Sequence, residues 1–214
     1  CMNGVYLGRQ EEGLCMVATD GRRLSYIEKS FGEEIPQFDA IIVPPKVLTL
    51  VRKLAGGEGN LRLAVGEKNL FVRLGNQRIS STLIEGQFPN YKRVIPDQQE
   101  HEAELDRVTL EEALKRVSLL VEQKSRRIYV TISDGTLTLN SEESEIGKAM
   151  EELDCSFSGE VTTLALNYLY LLEPLKIMDE ETIVIRFSEP NKAITLLSKP
   201  EKDFFHIVMP MQLD

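Results

Sequence analysis

At 214 residues, with 42% hydrophobic and 28% charged side chains, the chain has the composition of an ordinary globular protein, enough for one large domain or two of about 100 residues each. No apolar run approaches the roughly 18 residues of a membrane span, and no signal-peptide pattern of basic, apolar and small residues is present. A formal charge of −9, from 25 Lys and Arg against 34 Asp and Glu, excludes wholesale wrapping by nucleic acid but leaves room for a local basic face.

The first half reads as short strands. "GVYLG" (4–8) and "LCMVAT" (14–19) are apolar runs separated by the polar turn "RQEEG", and Asp20-Gly21 signals a tight turn before "RRLSYIEKS". "IIVPP" leads into a helix over 46–54, where Val47, Leu48, Leu50, Val51 and Leu54 make one apolar face; the glycines of "AGGEGN" end it. Strands "LRLAV", "NLFVRL" and "RISSTLI" follow, the last two joined at Gly75-Asn76. Residues 85–102, rich in Pro, Gly and polar side chains, read as a linker. Beyond it a helix is predicted over 109–123, with Thr109 and Glu112 as a capping box and Leu110, Leu114, Val117 and Leu120 on one face. "RIYVTI" and "TLTLN" form a hairpin about Asp134-Gly135, and "KAMEELDCSF" is a further extended segment. A helix from near Asn167 to 178 meets Pro174, which breaks or kinks it. "TIVIRF", "AITLLS" and "FFHIVMPM" are the closing strands.

The halves repeat. The helix at 46–54 and strands near 61–65 and 69–74 are matched about 122 residues later by 168–178, 183–187 and 193–198, and the hairpins at 4–19 and 127–139 align similarly. The second copy has a leading helix that the first lacks, so the first domain reads as clipped at its N-terminus. Together with a start at Cys1, this reads as a piece of a longer chain or a processed product. Repeated units of helix plus antiparallel strands define an α+β class.

Little in the sequence supports catalysis. There is no nucleotide loop of the G-x-x-x-x-G-K-[ST] kind, and "AGGEGN" follows a helix instead of opening one. The paired acids Glu11-Glu12, Glu142-Glu143 and Glu151-Glu152 read as solvated surface, and His206 as an edge or core histidine. With only His101 besides, histidine-built metal sites or triads lack material; no metal, no cofactor and no enzyme is expected. Cys1, Cys15 and Cys155 match neither zinc spacing nor a disulfide framework, and read as free thiols in a reducing cytoplasm. "RRLS" is a weak kinase-site match. The helices, by contrast, are basic. Residues 44–56 hold Lys46, Arg52 and Lys53 with no acid. Residues 109–127 hold Lys115, Arg116, Lys124, Arg126 and Arg127 against Glu111, Glu112 and Glu122. Such faces are either ordinary solvated surface or a stripe that meets phosphates without reading bases.

"NGVYLGRQEEGLCMVATDGRRLS", "GQFPNYKRVIP" and the terminal "VMPMQL" together resemble the bacterial sliding clamp, the beta subunit of DNA polymerase III, and the likeness runs in order along the whole chain. The resemblance implies the clamp fold, with residues 1–92 as a middle domain truncated at its start and 93–214 as a C-terminal domain. It implies a homodimeric ring of head-to-tail subunits around duplex DNA, closed through a first domain not matched here. The basic helix faces, Lys46, Arg52, Lys53, Lys115 and Arg116, would then point at the DNA. Polymerase and clamp-loader subunits would dock by a short linear motif of the Gln-Leu-x-Leu-Phe kind. The receiving pocket implied by resemblance comprises Met2, Thr19, Gly21, Arg22, Arg23 and Leu24, then Pro89, Arg93 and Val94. The last domain would add Asn167, Tyr170, Ile207, Val208, Met209, Pro210 and Met211. Flexible thioethers suit a wall that repacks against different partners. A protein-interaction module without a DNA role is the competing class, separable by asking whether the full-length parent is retained on circular but not linear DNA. A nuclease or transferase using the scattered acids is a third, open to a metal-dependent activity screen.

Overall fold

The computed structural model describes residues 3–57 and 59–213, which divide into two compact units. Unit 1 takes residues 3–20 and 26–91; unit 2 takes Gly21–Ser25 and residues 92–213. Both are antiparallel sheets with few helices, the α+β class expected from the repeat.

In unit 1, alternation in "GLCMVAT" buries Gly13, Cys15 and Val17 on one face of β2 (Gly13–Thr19). This strand pairs with β1 (Val5–Arg9), which also pairs with β4 (Ile41–Val43). β3 (Arg23–Ser30) lies on the other side of β2. Pro45 opens α1 (Pro45–Leu54) at the position where a missing N–H costs nothing, and Gly57, at φ 88°, follows its end. A meander of β5 (Leu61–Val65), β6 (Asn69–Leu74) and β7 (Gln77–Thr82) makes the second sheet, turning between β6 and β7 at Gly75, φ 54°. Leu7, Ile41, Val43, Val47, Leu70 and Val72 form the core. The apolar stripe of α1 is narrower than its sequence suggests. Val47 is buried and Leu48 and Val51 pack against the core, whereas Leu50 is 43% and Leu54 37% exposed.

Unit 2 is two copies of one β-α-β-β-β unit. The first is β8 (His101–Asp106), α2 (Arg107–Val117), β9 (Arg127–Ser133), β10 (Thr136–Ser141) and β11 (Met150–Asp154). The second is β12 (Thr162–Asn167), α3 (Tyr168–Leu175), β13 (Thr182–Phe187), β14 (Ile194–Lys199) and β15 (Phe204–Val208). Each copy lends its first strand to the other's sheet: β8 pairs with β13 and β12 with β9. The resulting sheets, ordered β11-β10-β9-β12 and β15-β14-β13-β8, bury Leu114, Val117, Ile128, Leu166, Leu171 and Phe187 with the two helices. In unit 1, β4-α1-β5-β6-β7 follows the same order, so the repeat read in the sequence is a repeat of topology.

Several local expectations are corrected. The cap of α2 is Asp106 and not Thr109: its carboxylate accepts from the Thr109 backbone N–H at 2.7 Å and from the Thr109 hydroxyl at 2.6 Å. A carboxylate there also meets the positive end of the helix dipole, and the helix starts two residues earlier than predicted. It ends at Val117 instead of 123, where Ser118 Oγ donates to the Lys115 carbonyl at 2.7 Å and a 3-10 turn takes over. α3 ends at Leu175, one residue after Pro174, and not at 178. The linker shrinks at both ends. Tyr91 is buried and stacks with Tyr6, while His101 already lies in β8. Gln99, between them, donates to the carbonyls of Arg186 and Ala193, both at 3.0 Å.

Candidate functional site

The residues singled out at "GRRLS" (21–25) and at the tail meet inside unit 2. Gly21, at φ 88°, turns the chain so that the Arg22 carbonyl accepts from Met209 N–H at 2.9 Å. Three residues on either side of that bond, Ser25 Oγ and His206 Nδ1 share a hydrogen bond of 2.7 Å. His206 is buried, as a core histidine, and works as a pin for this segment. β15 stops at Val208, and Pro210 has no N–H with which to continue a ladder. The tail is then caught again by Met211, whose N–H donates to the Ala165 carbonyl of β12 at 2.7 Å.

α3 forms the floor beside this strip. Asn167 caps it, accepting from Leu169 N–H at 3.0 Å, so its side chain is engaged within the helix. Arg23 lies with its guanidinium carbon 4.5 Å from the centre of the Tyr170 ring and ion-pairs with Glu173. Tyr170 and Glu173 are three apart and share a helix face, so one arginine can meet both. Pro174 sits in the last turn, four residues after Tyr170. The hydrogen bond it deletes is that to the Tyr170 carbonyl, and the Tyr170 ring remains held by Arg23.

The structure thus brings together Gly21, Arg22, Arg23, Tyr170, Met209, Pro210 and Met211. Gly21, Arg22 and Met209 are exposed; Arg23, Tyr170, Pro210 and Met211 are half-buried. Leu24, Ile207 and Val208 are buried, with Val208 in the main core, and therefore back the strip instead of presenting a surface. Arg93 and Val94 are exposed in a 3-10 turn, Tyr91–Val94. Thr19 and Pro89 belong to unit 1, and Met2 lies outside the described residues. Sequence reasoning missed Glu173, Ala165 and Ser25, which hold the strip; only the three-residue spacing of Glu173 from Tyr170 was readable.

The basic faces differ from one another. Lys46, Arg52 and Lys53 on α1 are exposed and form no ion pair among the described residues. Lys46 and Lys53 stand seven apart, on one face of the helix. On α2, by contrast, Lys115 meets Glu111 at 2.6 Å, and Arg116 makes a two-pronged contact with Glu151 at 2.8 and 2.9 Å. That contact holds the Glu151 carboxyl below its ordinary range and raises the Arg116 guanidinium in return. The local excess of cations counted in the sequence over 109–127 is therefore largely neutralised by carboxylates, one of which comes from β11.

Comparison with known proteins assigns the class. The family described as DNA polymerase III beta subunit, central domain, matches residues 1–90, and its C-terminal domain matches residues 92–212. The chain belongs to the DNA polymerase III beta subunit family. The beta sliding clamp of Treponema pallidum is 50% identical over 218 residues, spanning 100% of this chain and 58% of its own length. That of Escherichia coli K12 is 28% identical, spanning 99% of this chain and 58% of its own length. A crystal structure of the sliding clamp from Pseudomonas aeruginosa superposes with a TM-score of 0.93 at 31% identity, over 99% of this chain and 59% of that one. Another, bound to griselimycin, has a TM-score of 0.93 at 30% identity, over 99% of this chain and 57% of that one. The fold is that of the clamp. The chain spans about 58% of the length of the relatives it matches.

Proposed function

We propose that the chain serves in a DNA polymerase processivity factor. In this reading it forms part of a homodimeric sliding clamp around duplex DNA and docks polymerase and clamp-loader subunits through short peptide motifs. Its role is accessory and non-catalytic, and it acts in the cytoplasm. No helix of the described residues is long and apolar enough to cross a membrane. The observation that carries the reading is the joined strip: "DGRRLS", α3 and the methionine tail are far apart in sequence, yet Met209 bonds Arg22 and Arg23 lies on Tyr170. A relative of the same fold was crystallised with griselimycin, which supports a ligand-receiving surface on this kind of molecule. The peptide-docking surface proposed within unit 2 is Gly21, Arg22, Arg23, Arg93, Val94, Asn167, Tyr170, Met209, Pro210 and Met211, backed by the buried Leu24, Ile207 and Val208. The uncompensated cations of α1 are the stronger candidates for duplex phosphates.

A peptide that lays Leu and Phe against the methionine wall would bury about 300 Å² of apolar surface, worth roughly 7 kcal/mol before losses. Ordering the peptide takes back part of that, so micromolar affinity, about 8 kcal/mol, also needs the glutamine's hydrogen bonds. Fluorescence anisotropy with a labelled Gln-Leu-x-Leu-Phe peptide tests this. The intact chain is expected to bind near the micromolar level and a chain lacking residues 209–214 not to bind, while Arg127→Ala binds normally. Equal binding by the truncated chain would refute the docking assignment.

A further inference from the structure

The three-stranded sheet of unit 1 carries a row of like charges. Arg62 on β5, Arg73 on β6 and Arg78 on β7 stand directly opposite one another in the ladder. The next row on the same face is Ala64, Phe71 and Ser80. The other face holds Leu70 and Val72 in the core, so the arginine face points outward. All three arginines are exposed and Phe71 is 47% exposed; together they border a depression of about 250 Å³.

Like charges directly opposite on neighbouring strands destabilise a sheet. Arginines on other strands of this chain are matched to acids, Arg127 to Glu142 and Arg186 to Glu102. No carboxylate among the described residues pairs with Arg62, Arg73 or Arg78; Arg73 Nε has only the Gly75 carbonyl, at 3.3 Å. In a chain of net charge −9, an uncompensated row of three guanidiniums is a local reversal of sign.

We infer that this face binds single-stranded nucleic acid, with the arginine row on successive phosphates and Phe71 stacked on a base. The row spans two strand spacings, about 9.6 Å; three successive phosphates at roughly 3.4 Å of rise in a stacked strand span about 6.8 Å, a difference that long arginine side chains take up. Guanidinium forks match phosphate oxygens in pairs. An acidic peptide would satisfy the arginines but leave the ring without a partner, and a duplex hides its base faces. A single strand meets both features at once, in the combination of cationic track and aromatic platform that such strands use.

The test is anisotropy of a labelled oligothymidylate of about 12 nucleotides with the full chain. Binding is expected to fall about 20-fold between roughly 50 and 200 mM salt, the dependence for three phosphate contacts on a single strand. Phe71→Ala is expected to cost about tenfold. Arg73→Glu is expected to abolish binding while raising the melting temperature, because it places a carboxylate between Arg62 and Arg78. Loss of affinity in that variant therefore cannot come from unfolding. Lys192→Glu, an exposed charge on unit 2, is the control and should leave the affinity within about twofold. Unchanged binding in Arg73→Glu and Phe71→Ala would overturn the inference. So would a duplex or an oligoglutamate that binds as tightly as the oligothymidylate and is indifferent to Phe71→Ala. Peptide binding at the methionine strip is a separate readout, so either proposal can fail alone.

Discussion

Arg23 spans two side chains to which sequence alone does not relate it, the Tyr170 ring and the Glu173 carboxylate. Arg23→Lys is expected to weaken peptide binding several-fold in the anisotropy assay, because an ammonium can keep the ion pair but not the planar stacking. An affinity equal to wild type would show that the stacked geometry does not matter. Asp106 makes a second residue-scale prediction. The hydrogen bonds from Thr109 hold its carboxyl below the ordinary range in the folded state. A depressed folded-state pKa contributes stability that is present above the unfolded value, about 3.9, and is lost as pH falls through the folded one. Asp106→Ala should therefore lower stability by about 1 kcal/mol at neutral pH. That gap should close as the wild-type carboxyl protonates in acid. Thermal melts of both proteins across that range check the sign. The true cap was legible in principle, since Asp106 stands three residues before Thr109. The Thr109-Glu112 pattern, an equally good local signal, competed with it.

Elements were readable where periodicity was strong. β2, β9 and β10 alternate cleanly and turn at Gly or Asp-Gly, and α1 and α2 carry apolar stripes. β8 was hidden because "HEAELD" mixes acids with alanine, and its strand character comes from pairing with β13. The charge on helices was misjudged for the same reason: a count along the chain cannot see that Glu151, on β11, neutralises Arg116. This difference separates α1 from α2. Charge reversal at Lys46 and Lys53 is expected to weaken association with duplex DNA and to flatten its salt dependence by about two phosphate contacts. Alanine at Lys115 and Arg116 is expected to do less, since those cations are already partnered. Fluorescence titrations over a salt series distinguish the two pairs, and equal effects would mean that the ion pairs on α2 open when DNA binds.

At the scale of the whole molecule, the recurrence of helix and strands about 122 residues apart was legible from spacing, the shorter β-α-β-β-β repeat within unit 2 was not, and the strip proposed for docking was legible only through likeness of motif. No periodicity brings residue 23 to residue 170, or residue 22 to residue 209; those contacts follow from the fold. The chain spans about 58% of its relatives' length, and ring closure is proposed to need a domain outside these 214 residues. A polypeptide of these residues alone is therefore expected to be washed from nicked circular DNA by salt, whereas stable retention would contradict that account of closure. The central claim, that a short apolar motif docks on the methionine strip, is tested most directly by photocrosslinking. A Gln-Leu-x-Leu-Phe peptide carrying a benzophenone in place of its Phe is irradiated with the chain and the adducts are mapped by mass spectrometry. The account predicts attachment at Tyr170, Met209, Pro210 or Met211, competed away by unmodified peptide. Competed adducts confined to α1 or to the β5–β6–β7 sheet would contradict it.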